Sequence, residues 1–216
     1  MSLESEQLKI VNAALGHLGN KRLSTLSPTS TSTLELFIEA NFDDWIMEVL
    51  EQAPWRCVMK EDSLLEAVIP STNIQYRYAY LLPSDFVRLI GQPCFFPGLP
   101  VRYHERNVYE IIGKYSATGQ RILYCNAANP EIRYVYQNLN TETYYTYIDA
   151  TLRRTLIAKF EYELALPVTE NASLAELKYK MYREILRHAR ANNEAMAWPN
   201  PATPQASILN VRRDHR

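Results

Sequence analysis

Apolar side chains recur every three or four residues near both ends of this chain, and that spacing predicts helices. The first stripe begins after Ser5 and stops before Gly19, a residue suited to the left-handed position that closes a helix. The second stripe follows Ser32 and Glu35, which have capping-box spacing, and ends at Pro54. Two N-terminal helices are therefore predicted. Their stripe residues are Leu8, Val11, Leu15 and Leu18, then Leu34, Ile38, Trp45 and Val49.

Helical spacing returns in the C-terminal third of the chain. A third helix is predicted from Tyr145 to Pro167, and a fourth opens at Ser173 and Glu176, a second pair with capping-box spacing. Two amphipathic helices precede the middle of the chain and two follow it. We expect the first and last helices to pack together as one bundle, because each helix has an apolar stripe to bury. The predicted stripes are Tyr145, Ile148, Leu152, Leu156, Phe160 and Leu164, then Leu174, Leu177, Met181 and Ile185.

Between about Met59 and Gln137 the pattern changes to short β-rich runs separated by Pro, Gly and Asn. Five strands are predicted there, at 74–80, 86–92, 107–112, 121–125 and 131–137. The predicted fold class is α+β, a four-helix bundle with an inserted, small and mostly antiparallel β-domain. The predicted divisions are 1–58 and 143–197 for the discontinuous bundle, 59–142 for the β-domain and 198–216 for an extended C-terminal tail.

Composition and charge narrow the function classes. The chain has 216 residues, 47% of them hydrophobic, so it can bury a substantial core. A formal net charge of -1 argues against a protein that coats nucleic acid. The scattered Cys57, Cys94 and Cys125 favour reduced thiols that fill space in a core. The sequence has neither a membrane-length apolar run nor a signal peptide, so we expect a soluble product made in the cytoplasm.

Candidate chemistry is sparse. The six glycines form no phosphate-binding cluster, and the four histidines lack ligand spacing to each other or to cysteine. Ser84 follows Pro83 as a turn residue rather than in a nucleophile elbow. Neighbouring acids on the predicted helices are typical of solvated faces rather than of a glycosidase pair. We therefore expect no catalytic, cofactor or metal site. These acids are Asp43, Asp44, Glu48, Glu161 and Glu163.

Tyrosine is unusually frequent, with 15 tyrosines against six phenylalanines. Tyr suits protein interfaces because it buries a large area and keeps a hydrogen-bonding tip. Two groups are therefore candidate interface aromatics. One is Tyr76, Tyr78 and Tyr80 on one face of a predicted strand, and the other is Tyr144, Tyr145 and Tyr147. Aromatic rings beside Arg77 or Arg88 could instead stack single-stranded nucleic acid, an interpretation that the neutral charge balance disfavours.

Several segments together resemble the tail tubular protein A family of short-tailed phages. They are VNAALGHLG at 11–19 in the first helix, APW at 53–55 closing the second, and YAYLLPSD at 78–85 opening the β-unit, followed by the two C-terminal helices. The resemblance spans about residues 8–196. After Pro54 and Trp55 this chain has RCV at 56–58, where the family is expected to have an aromatic residue or alanine, and its tail departs from the family.

The resemblance implies a non-enzymatic virion protein, the adaptor that joins the portal to the tail nozzle. It implies a dodecameric ring with heterologous contacts between subunits. The implied partners are the portal protein, a nozzle like tail tubular protein B, and tail fibres, while genome DNA passes through the lumen without specific binding. We expect the tail to dock on the portal and to become ordered on binding. Its candidate docking residues are Trp198, Ile208, Leu209, Arg212 and Arg213.

Two other functions stay open at this point. A virion-associated peptidoglycan hydrolase would require an acid with a raised pKa, such as Glu161 or Glu48, in a cleft. A single-stranded nucleic-acid-binding protein would require the Tyr76, Tyr78 and Tyr80 rings to be exposed.

Overall fold

The fold was analysed in a computed structural model of the chain. The structure describes residues 5–26, 29–30, 32–64, 69–70, 76–90, 109–114, 120–126, 129–139 and 141–195. Within these residues helices occupy both ends and antiparallel strands the middle, which confirms the α+β class. The tail 198–216, with its five candidate docking residues, lies outside the described residues, as do Cys94, His104 and His215.

Five helices are present in the described part of the chain. They are α1 (Glu6–His17), α2 (Thr33–Gln52), α3 (Glu142–Thr146), α4 (Ala150–Thr169) and α5 (Ala172–Ala195). Helix α4 is the central element, since it packs against α1, α2 and α5. Their common core contains side chains from all five helices, so the two ends of the chain share one core.

The ends of α1 and α2 follow from local hydrogen bonding, and both predictions are confirmed. The Ser5 hydroxyl accepts the Leu8 N–H at 3.2 Å and begins α1. Gly19 has a φ of 75°, and the Asn20 N–H after it donates to the Leu15 carbonyl at 2.9 Å, which closes the helix. At α2, Ser32 accepts the Glu35 N–H at 3.4 Å.

The predicted third helix is wrong at both ends. Asp149 breaks it, because its carboxylate accepts the Leu152 N–H at 2.7 Å and begins α4, leaving Tyr145 in the separate helix α3. Pro167 lies inside α4 instead of ending it. The turn after Pro167 still closes, since the Glu170 N–H donates to the Leu166 carbonyl at 2.9 Å.

The start of the fourth helix also differs from the prediction. The Asn171 side chain accepts the Leu174 N–H at 3.0 Å, so α5 begins at Ala172 and Ser173 is not its cap. Asn171 makes the same bond two positions earlier that a Ser173 cap would have made with Glu176.

The buried face of α5 is not the predicted stripe. Its core side chains are Tyr182, Leu186, Ala189 and Asn193. The predicted stripe of Leu174, Leu177, Met181 and Ile185 lies roughly a quarter turn away around the helix. Leu177 is 53% exposed and Met181 45% exposed, so the core position predicted for them is wrong.

Seven described strands form two antiparallel sheets. The first sheet has the order β1 (Met59–Ser63), β7 (Glu131–Tyr136) and β4 (Phe86–Leu89). The second has the order β2 (Ile69–Pro70), β3 (Tyr78–Leu81), β6 (Arg121–Cys125) and β5 (Tyr109–Lys114). Each of the five predicted strands overlaps one of these, whereas β1 and β2 were not predicted. Ser84 and Asp85 form the predicted turn between β3 and β4.

The first sheet is the middle layer of the molecule. Along β7, Ile132 and Tyr134 point into a core shared with the second sheet. Val135, on the opposite face of the strand, points into the helical core. Strand β4 does the same with Phe86 and Val87, which enter the sheet core and the helical core respectively. The helices and the β-unit are therefore packed through this one sheet. The predicted domain division stays a prediction.

A matched pair of leucines on α5 tests which face is buried. Leu186→Ala should lower the free energy of unfolding by about 2–5 kcal/mol, because it leaves a cavity in the core. Leu177→Ala should change it by less than about 0.5 kcal/mol, because that side chain is largely exposed. Urea denaturation of both variants measures the difference. Equal losses would contradict the assigned orientation of α5.

Candidate interaction surfaces

The structure corrects four of the six candidate interface tyrosines. Tyr76, Tyr80, Tyr144 and Tyr145 are buried within the chain itself. Three of their hydroxyls have protein partners. Tyr144 donates to the Tyr136 carbonyl at 3.0 Å, Tyr145 donates to the Leu139 carbonyl at 3.2 Å, and Tyr80 accepts the Asn129 N–H at 3.0 Å. These rings build the core, where a polar tip is tolerated because it is hydrogen-bonded.

The other two tyrosines keep surface area. Tyr147 is 59% exposed at the end of α3. Tyr78 is half-buried, with its ring 6.2 Å from that of Tyr80 and the Arg77 guanidinium 5.4 Å from its centre. The three-ring platform that a single-strand binder requires is thus not on the surface, because Tyr76 and Tyr80 are covered.

Three of the five candidate acids, Glu48, Glu161 and Glu163, are engaged in ion pairs. Glu161 on α4 accepts from Lys178 on α5 at 2.6 Å and contacts the imidazole of His17 at the end of α1. Glu48 on α2 pairs with Lys159, whose side chain is 5% exposed and also pairs with Glu163 at 2.5 Å. Glu48 and Glu163 line one groove of ≈ 1180 Å³, but both bind the Lys159 ammonium, so they are not the free pair of carboxyls that a glycosidase uses.

Lys159 is the best-buried charge of this network. Burial lowers its pKa, but the hydrogen bonds that it donates to Glu163 and Glu48 outweigh burial and raise the pKa overall. Its ammonium also lies 5.5 Å from the ring centre of Tyr162 and 5.7 Å from that of Tyr182. Two carboxylates and two rings therefore compensate the buried cation.

Other chemistry finds little support in the described part of the chain. No group of three His, Cys, Asp or Glu side chains is arranged there to hold a metal ion. Burial raises the pKa of the Cys57 thiol to about 11, so it is not activated as a nucleophile, and Cys125 is buried as predicted. No helix of these residues combines the length and apolarity needed to cross a membrane.

One exposed surface is apolar and cationic. Met181 and Ile185 of the α5 stripe (Leu174, Leu177, Met181 and Ile185) line a groove of ≈ 600 Å³ between α4 and α5, and Leu177 is exposed one turn before Met181. Ile157 and Ala158 of α4 form part of the groove wall, and its rim carries Arg153 and Arg154, together with Lys178 and His17, which both contact Glu161 in the same groove. Arg153 pairs with Glu6 at 2.6 Å, whereas Arg154 is exposed and forms no ion pair with any described residue. We call this surface the α4–α5 groove.

A second exposed surface is apolar and acidic. The outward face of α2 carries Leu36 and Phe37, each 39% exposed, beside Asp43 and Asp44. Neither aspartate has an ion-pair partner among the described residues. Burial, and after it the nearby Asp44 carboxylate, raises the pKa of Asp43. We call this surface the α2 face.

The segments that carry the family resemblance have structural roles. Residues 11–19 contain most of α1 and its closing glycine, and residues 78–85 form β3 and the turn after it. Trp55 in 53–55 is buried and donates its indole N–H to the Val49 carbonyl at 2.8 Å. No protein-family model matches the chain, and no curated protein matches it.

The burial of Tyr144 predicts a specific weakness in alkali. Burial raises the pKa of its hydroxyl, so above about pH 10 the unfolded state loses this proton first and stability falls. In Tyr144→Phe the free energy of unfolding should fall less steeply with pH, by about 1.4 kcal/mol per pH unit, because phenylalanine has no hydroxyl proton to lose. At pH 8 the same variant should lose about 1 kcal/mol with the hydrogen bond to the Tyr136 carbonyl.

Urea unfolding at several values from pH 8 to pH 11 measures both effects. Tyr147→Phe is the matched control, and its free energy of unfolding at pH 8 should change by less than about 0.5 kcal/mol because the ring is exposed. An alkaline slope that is the same in Tyr144→Phe and in the unmodified chain would show that this hydroxyl is not held neutral in the core.

Proposed function

We propose that this chain is a structural subunit of a phage neck, the head-to-tail adaptor that joins the portal to the tail nozzle. The α5 stripe is the observation that carries the proposal. Leu177 and Met181 stand in solvent at helical spacing on a helix whose other face is already buried. Contiguous exposed apolar side chains are typical of surfaces that assemble with another protein. The sequence resemblance supplies the kind of assembly.

In this proposal the helical layer is the wall of the ring. Helices α1, α2, α4 and α5 would form the four-helix bundle of the adaptor, with α4 contacting the other three. Two different exposed surfaces, the α4–α5 groove and the α2 face, fit a ring because heterologous contacts require unlike patches. The virion neck would then contain a dodecamer, with the nozzle on one side and the portal on the other.

Charge fits a conduit better than a nucleic-acid binder. The chain carries 24 acidic and 23 basic residues, so it lacks the excess of cations that retains DNA. A neutral or mildly acidic lumen would let the genome pass during ejection without holding it. The two alternative functions gain nothing from the structure, since Glu161 and Glu48 are in ion pairs and Tyr76 and Tyr80 are buried.

The solution mass of the chain, alone and mixed with the portal ring of the same phage, tests the proposal. We expect a complex whose mass exceeds that of the portal ring by twelve copies of the chain, measured by native mass spectrometry or light scattering. The chain alone is the control, since templating by the portal raises the local concentration of subunits. Failure to form a complex over a range of protein and salt concentrations would contradict the adaptor function.

Truncation before residue 198 tests the proposed docking tail. Removal of 198–216 should abolish portal binding, because it deletes Trp198, Arg212 and Arg213 together with two aliphatic anchors, Ile208 and Leu209. The thermal unfolding midpoint of the truncated chain serves as the control for folding. Portal binding of unchanged affinity would assign the portal contact to another part of the chain.

A further inference from the structure

We propose that the α2 face of one copy seats on the α4–α5 groove of the next copy, and that this contact closes the ring. The occupant of the groove is thus a second copy of this chain. The inference rests on the proposed function, because it names the subunit contact of that ring. The two surfaces of this contact differ in charge and lie on different helices.

The groove side offers apolar anchors beside an arginine that has no ion pair with any described residue. Leu177 and Met181 project from α5, and the partly buried Ile157 of α4 lines the groove with Met181. Arg154 stands free at the rim within the described structure, and a smaller adjoining groove of ≈ 280 Å³ adds His188. A partner that fits this surface needs apolar side chains with carboxylates beside them.

The α2 side meets that requirement. Leu36 and Phe37 are the apolar pair, and Asp43 and Asp44 follow two turns later on the same face. Helix α2 contains six carboxylates and neither lysine nor arginine, so its outward surface carries one sign of charge. Burial and like charge raise the pKa of Asp43, and a cation supplied by the neighbouring copy would relieve that repulsion.

The α2 face and the α4–α5 groove do not contact each other within one chain. Helix α5 meets the end of α2 through its other side, where Tyr182 donates to the Gln52 side chain at 3.1 Å and Arg190 donates to the Gln52 carbonyl at 2.9 Å. The α5 stripe lies instead toward α1, next to His17. The acidic and cationic surfaces therefore face away from each other, which is the arrangement that a head-to-tail contact requires.

Charge reversal is the first test. Asp44→Lys on the α2 face and Arg154→Glu on the groove should each weaken assembly at least tenfold, and combining them in one chain should recover most of the loss. Arg187→Glu, on the opposite side of α5, is the matched control and should leave assembly unchanged. Assembly is measured as cooperative loading of the portal ring and as sedimentation of the isolated chain at millimolar concentration. No recovery in the double variant overturns the pairing.

Mixing two damaged chains tests the head-to-tail geometry. One chain carries Leu36→Glu with Phe37→Glu, and the other carries Leu177→Glu with Met181→Glu, all at positions where the side chain is at least 39% exposed, and the thermal unfolding midpoint of each variant is the control for folding. Each variant alone should be monomeric, while their mixture should give heterodimers and nothing larger, because each pair retains one good contact. Self-association of either variant alone would overturn the proposal.

These measurements separate the contact from the function. If the unmodified chain loads the portal but the variants load equally well, the contact is wrong and the adaptor function stands. If the chain pairs through these faces but never loads the portal, the contact stands and the adaptor function is wrong. If it does neither, both are wrong. If the stripe variants change only the protease protection of 198–216, the chain's own tail covers the stripe and the contact is wrong.

Discussion

The C-terminal turn of α2 is the point on which the arrangement of helices and sheets depends. Three backbone carbonyls there accept side-chain hydrogen bonds. The Trp55 indole donates to the Val49 carbonyl, Arg88 of β4 donates to the Glu51 carbonyl at 2.8 Å, and Arg190 of α5 donates to the Gln52 carbonyl at 2.9 Å. Two arginines suit this place, because the carbonyl end of a helix carries partial negative charge. Burial, with the nearby Arg190, lowers the pKa of Arg88, and the carbonyl bonds compensate for that unfavourable setting.

The same turn explains how one sheet can serve two cores. The pairing of β4 with β7 shifts between Phe86 and Arg88, a bulge that lets Val87 pack on the helices while Arg88 reaches the end of α2. Arg121 of β6 then spans from the second sheet to the first, donating to the Val87 carbonyl at 2.9 Å and pairing with Glu51 at 3.3 Å. Helices, first sheet and second sheet thus meet at neighbouring residues near the end of α2.

Local signals explain which parts of the fold could be predicted. The ends of α1 and α2 are set by residues close to each end, the hydroxyls of Ser5 and Ser32 and the left-handed backbone of Gly19, so sequence alone locates them. Strand β1 could not be predicted from the sequence, because four of its five side chains are exposed and the strand therefore shows no alternation of apolar and polar residues. The interface position predicted for four of the six clustered tyrosines is wrong for a different reason. Tyrosine suits a surface and a hydrogen-bonded core position equally well, and only the fold supplies the carbonyls at Tyr136 and Leu139 that decide between them.

Helix α5 shows why apolar periodicity alone predicts the wrong buried face. Its sequence has two apolar stripes roughly a quarter turn apart, and periodicity gives both the same signal. Which stripe is buried depends on α2, since Tyr182 and Arg190 bond to Gln52 from 130 and 138 residues away in sequence. Once those contacts orient the helix, Leu177 and Met181 must face outward. The exposed stripe is thus a consequence of how α5 is anchored, and it persists in the folded chain because moving it inward would break the contacts that hold α2.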